Sequence, residues 1–146
     1  MNIIKVFDNA FKRAEEKNWD YIYVLVDIHG TIFEPSYYNE EYYKYYPYAR
    51  YVLQMLSGNP KIKLILWTST YKVEIDKYIQ RMKLDFIKFN YVNENPEVKD
   101  TDIQFFGKKL YFNVGIDDKF GFEPETDWKE LFDYLVNSDE EFLTNY

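Results

Sequence analysis

The chain has no cysteine and one histidine, His29. The first absence excludes disulfides, thiolate metal sites and a cysteine nucleophile. Positive charge is also scarce: 18 lysines and arginines against 25 aspartates and glutamates leave a net charge of -7. That balance disfavours broad electrostatic binding to nucleic acid, though it leaves room for a local basic cleft. Apolar runs are short, and none approaches the length of a membrane span. Residues 1–18, "MNIIKVFDNAFKRAEEKN", do not read as a signal peptide, because charges interrupt them and no small-residue cleavage site follows. The compartment this composition predicts is the cytosol.

What is present is a globular composition. Of 146 residues, 47% are hydrophobic and 21% aromatic, enough for one domain to bury a core. Within the first segment Ile3, Phe7, Ala10, Phe11 and Ala14 recur at helical spacing, which predicts an amphipathic helix over 2–17. Residues 21–26, "YIYVLV", read as a strand buried on both faces, and 62–67, "IKLILW", as a second. Residues 86–92 and 110–116 read as the third and fourth. Helical patterns cover 48–56, closed by "SGNP", then 71–83, and 126–136 with Thr126 as N-cap. Alternating strands and helices predict an α/β fold, a single three-layer Rossmann-like domain with a parallel sheet and helices on both faces. Residues 37–51 hold eight of the sixteen tyrosines. These rings are either an aromatic wall beside a site or a cover for the domain edge, and the second reading is preferred.

The strands end in polar residues. The first runs into Asp27, the second into Thr68 and Ser69, and the fourth into Asp117 and Asp118. Ligands of open parallel sheets bind beyond the carboxyl ends of the strands. Three carboxylates gathered there repel one another without a cation, and hard oxygen ligands favour magnesium. A metal of this kind draws in a phosphate, whose other oxygens need a hydroxyl and a positive side chain. Thr68 or Ser69 offers the first, and Lys108 or Lys109 the second. Singly, each residue is equally well read as a turn aspartate, a helix cap or a solvated loop. Their joint order is what carries the reading.

With these motifs in order, "VLVDIHGTI", "LILWTST" and "KLYFNVGIDDKFGF", the chain resembles the haloacid dehalogenase superfamily of phosphohydrolases over about residues 20–136. It looks closest to a small, capless bacterial and phage subgroup, whose "VNENP" has its counterpart at 92–96. The resemblance implies a magnesium-dependent phosphomonoesterase with no cap domain, since the insertions at 32–47 and 70–108 are short. Asp27 would be the nucleophile that becomes an aspartyl-phosphate. Asp27, the backbone carbonyl of His29, Asp117 and Asp118 would hold Mg2+. Thr68 and Lys109 would hold the phosphate, with Leu110 standing where the subgroup has proline. Backbone N–H groups of the turn at Gly30 and Thr31, and Ser69, would bind substrate.

The departure is His29, which replaces the family's acid–base aspartate. A backbone carbonyl ligates whatever the side chain is, so only proton transfer is altered, and imidazole can donate and then accept near neutral pH. A retained but altered phosphatase is therefore expected, against a weakened protein that only binds phosphate or a partner. A nucleic-acid end phosphatase is a third reading, disfavoured by the acidic charge. The size of the phosphorylated substrate is open. Asn93, Glu94 and Asn95 are either substrate contacts or turn residues.

Overall fold

A computed structural model describes residues 1–35, 43–98 and 110–144. The chain begins with α1 (Ile3–Lys17), whose first turn is capped by the Asn2 side chain accepting the Lys5 N–H at 3.1 Å. Ile3, Phe7 and Ala10 form its buried stripe. Asn18 ends it in the left-handed region at φ 55°, a conformation asparagine tolerates well. Then follow β1 (Ile22–Asp27), α2 (Ala49–Gly58), β2 (Ile62–Trp67), α3 (Lys72–Leu84), β3 (Tyr91–Val92), β4 (Val114–Ile116) and α4 (Asp127–Thr144). The four strands form one parallel sheet in the order β3-β2-β1-β4. The fold is therefore α/β, a parallel sheet flanked by helices in the Rossmann-like manner.

The two faces of the sheet are built differently. Even-numbered strand residues, among them Val24, Val26, Leu64, Leu66, Val114 and Ile116, share one core with the buried sides of α1, α2, α3 and α4. Odd-numbered Tyr23, Leu25 and Ile65 form a smaller cluster covered by Tyr91, Val98 and Leu110. On that second face the described cover comes from β3 and coil rather than helix.

The third and fourth strands are shorter than the apolar patterns at 86–92 and 110–116 suggest. Phe86 lies at φ 63° and is exposed, so the chain is still turning out of α3 there. Pairing begins only at Asn90, whose side chain accepts the Leu64 N–H while its own N–H donates to Leu64 O, at 2.8 and 2.9 Å. Asn113 repeats this arrangement against Tyr23, with both distances 2.8 Å. A side-chain amide thus substitutes for the ladder where each strand begins. The helices shift by one or two residues from the pattern, except α4, which runs on to Thr144. Thr126 precedes α4, but its hydroxyl points back to Glu123 at 3.5 Å, and the Asp127 carboxylate accepts the Glu123 N–H at 2.8 Å.

The described tyrosines of the 37–51 segment pack on the domain. Tyr46 is buried, and Tyr45 meets Phe33 and donates to Asp85 at 2.7 Å. Tyr48 and Tyr51 lie against Phe132. Tyr43 packs edge-on to Tyr78. They cover the domain edge; Tyr37, Tyr38 and Tyr42 lie outside the described residues. No described helix is long and apolar enough to cross a membrane.

Candidate active site

From β1 the chain crosses to β2 and β3 on one side, then returns to place β4 on the other side of β1. The direction of winding therefore reverses between β1 and β4, and open parallel sheets bind their ligands beyond the carboxyl ends of the strands at such a switch point. Asp27 is the last residue of β1, and Asp117 directly follows β4. Carboxylate oxygens of Asp27, Asp117 and Asp118 all lie within 4.8 Å of one another. Asp117 is buried at 5% exposure, Asp27 is partly buried and Asp118 is exposed. Sequence alone anticipates this cluster, and the topology assembles it.

The electrostatics follow from that crowding. Burial pushes the Asp27 carboxyl up to about 6, helped by the Asp117 and Asp118 charges and opposed by bonds from the Ile28 N–H and the Thr31 hydroxyl. Asp117 is also raised, by burial first and by Asp118, against the Lys119 N–H it accepts at 2.9 Å. A site that holds its carboxylates at such a cost suits a divalent cation. The donor set is three carboxylates with no thiolate, the hard-oxygen set that magnesium takes. Asp27, Asp117 and Asp118 fit that ion.

The turn after β1 shapes the surroundings of the cluster. The Ile28 carbonyl accepts N–H groups from Thr31, Ile32 and Phe33 at 3.2, 2.9 and 3.3 Å. Gly30 stands at φ 72°, in the left-handed region open to glycine. Its N–H donates to Phe33 O at 3.2 Å, so the Gly30 and Thr31 amides, expected to face substrate, close the turn instead. Thr31 itself is fully buried. Its hydroxyl donates to Asp27 Oδ2 at 3.4 Å and accepts the Asp118 N–H at 3.3 Å, joining the two halves of the acidic cluster. The buried Trp128 indole N–H donates to Thr31 O at 2.7 Å, tying α4 to the same turn. Thr31 is thus a brace within the site, where a substrate contact was expected. His29 is exposed, and its ring meets Tyr78 edge-on with centroids 5.2 Å apart.

Beyond β2, Thr68 is nearly buried, at 8% exposure, and Ser69 is exposed. Thr68 Oγ1 lies 2.7 Å from Thr70 Oγ1 and accepts the Thr70 N–H at 3.2 Å. Thr70 joins the site without having been singled out; the hydroxyl run 68–70 was its signal in the sequence. Within "NEN", the Asn93 side chain is turned to the Thr68 main chain. Its Oδ1 accepts the Thr68 N–H and its Nδ2 donates to Thr68 O, both at 2.8 Å. It sits at φ 54°, a conformation asparagine adopts more readily than most residues. Asn95 donates to Tyr111 O at 2.9 Å. Both side chains organise backbone, Asn93 at the threonine itself. Lys108 and Lys109 lie outside the described residues.

The sequence matches no family model and no curated protein. Among solved structures, a conserved protein from Bacteroides thetaiotaomicron is similar to this chain, with a TM-score of 0.59 and 25% identity over 81% of this chain and 92% of that one.

Proposed function

We propose that this protein is a magnesium-dependent phosphomonoester hydrolase of the haloacid dehalogenase type, acting through an aspartyl-phosphate on Asp27. The observation that carries the reading is the meeting of Asp27, Asp117 and Asp118 oxygens within 4.8 Å at the reversal point of the sheet. Bound there, Mg2+ would neutralise the carboxylates and polarise a phosphate oxygen. Asp27 Oδ attacks phosphorus and the ester oxygen departs, taking its proton from His29. His29 then accepts a proton from the water that attacks the phosphoryl group and frees Asp27. Thr68, fixed through its main chain by Asn93, holds a phosphate oxygen, and Lys109 supplies the positive charge. Magnesium as the resident ion and a cytosolic setting belong to the same proposal.

The test is a screen of phosphate esters with and without magnesium, with Asp27→Asn as the blank. Turnover that needs both the metal and Asp27 supports the assignment. Turnover surviving in Asp27→Asn, or none on any ester, refutes it.

A further inference from the structure

The second face of the sheet brings aromatic rings up to the nucleophile. Asp27 of β1 and Trp67 of β2 are register partners, so both side chains leave the same face side by side. One row below, Leu25 is paired with Gly115 of β4. Gly115 carries no side chain, and the Phe120 ring fills its place. A Cβ there would lie 2.7 Å from two Phe120 ring carbons and 3.1 Å from Phe112. The Phe112 and Phe120 rings are nearly parallel, at 10° with centroids 6.2 Å apart. Trp67 is 40% exposed and Phe120 47%.

Asp27 therefore stands on the middle one of three strands, with an exposed indole on one neighbour and an exposed phenyl pair over the other. Adjacent strands are about 4.8 Å apart, so β2 and β4 are separated by roughly 10 Å. The Asp27 strand lies between them, so a group held at Asp27 has an exposed ring to either side. Aliphatic esters would leave both rings wet, whereas a planar group would cover them and gain stacking energy.

We propose that the site selects phosphomonoesters whose leaving group carries a planar ring, with Trp67 as the stacking surface and Phe120 closing the opposite side. This rests on the hydrolase reading above. The shared chemistry is a flat ring a short distance from phosphorus, as in an aryl phosphate or a nucleoside monophosphate.

Phosphonates test it, because they are not hydrolysed and report binding whatever the turnover. Phenylphosphonate, a nucleoside 5′-methylenephosphonate and propylphosphonate would be titrated calorimetrically, with magnesium, into wild type, Trp67→Ala and Phe120→Ala. The ring-bearing probes should bind about tenfold tighter than propylphosphonate to wild type. Trp67→Ala should remove that advantage and leave propylphosphonate binding unchanged, and Phe120→Ala should reduce it. Whichever ring-bearing probe binds tighter identifies the source. Equal affinity for all three probes in wild type, or an advantage that survives Trp67→Ala, overturns the ring preference. If esters are still hydrolysed in that case, the hydrolase reading stands alone. Failure of every phosphonate to bind overturns both.

Discussion

Replacing Asp117 with asparagine should stabilise the metal-free protein and abolish its response to magnesium. Asparagine keeps the shape and retains an Oδ1 to accept the Lys119 N–H, bonded at 2.9 Å in the wild type, so the change is mainly one of charge. Two carboxylates within 4.8 Å of each other repel by about 3.5 kcal/mol or more at an effective dielectric of 20. Partial exposure and salt reduce the recoverable share to roughly 1 kcal/mol. For a domain of this size that is a rise of about 3 °C in melting temperature at pH 7.5 without metal. The pH dependence has a definite sign. The Asp27 carboxyl is raised from 3.8 to about 6 in the folded state, so folding binds a proton between those values. Its contribution is complete below pH 3.8 and is lost as pH rises through 6. Metal-free wild type should therefore lose stability across that window, and Asp117→Asn should lose less. Magnesium at a hundred times its dissociation constant should return about 2.7 kcal/mol to the wild type. Differential scanning calorimetry at pH 4 to 8, with and without magnesium, measures all of this. A metal-free Asp117→Asn protein less stable than wild type, with an undiminished magnesium response, would refute the electrostatic argument.

Further variants address the chemistry. Lys109→Ala should abolish turnover in an ester assay while Lys108→Ala has little effect, because Lys109, eight residues before Asp117, is the lysine that the resemblance assigns to the phosphate; the reverse ranking would assign the neighbour. His29→Ala should keep the magnesium-induced rise in melting temperature but lose most turnover of alkyl phosphates, with a smaller loss on aryl phosphates, whose oxygen leaves with little protonation. His29→Asp should move the pH–rate profile towards acid, since a carboxylic acid titrates below an imidazole; equal inactivity of wild type and His29→Ala would remove the acid–base role. Asn93→Ala breaks both bonds to the Thr68 main chain and should cut kcat about tenfold or more while magnesium still raises the melting temperature, a split that general destabilisation would not give.

The parts legible in the sequence were those where one property repeats or converges. Near-continuous apolar runs gave β1 and β2 to within a residue, because strands buried on both faces need apolar side chains at almost every position. Asp27, Asp117 and Asp118 were legible because a strand that ends in a carboxylate is unusual, and two such ends share one edge. The ends of β3 and β4 were not legible: apolar residues such as Phe86 and Phe112 look like strand but are exposed, the first in a turn and the second in coil. What fixes the start of pairing is the side-chain amide of Asn90 or Asn113, which composition reads as a loop residue. The brace at Thr31 was hidden for another reason. Its partners are Asp118 and Trp128, far along the chain, and no local pattern announces a contact across the fold.

The layout of the sheet also orders events in time. Asp27 and Asp117 are 90 residues apart (117 − 27), and they meet only when β4, the last strand made, docks beside β1, the first. Closing so long a loop is a slow, entropically opposed step, and contacts of this separation dominate folding time. During synthesis β1 and β2 can pair while Asp27 is still in water, with neither the burial nor the charged neighbours that later raise its pKa. The acidic cluster and the raised Asp27 carboxyl thus arise together, at the moment the C-terminal third of the chain is in place. A nascent or truncated chain carries Asp27 but not the cluster, so on the proposed reading magnesium would stabilise only chains in which β4 has docked and would drive that docking step by mass action.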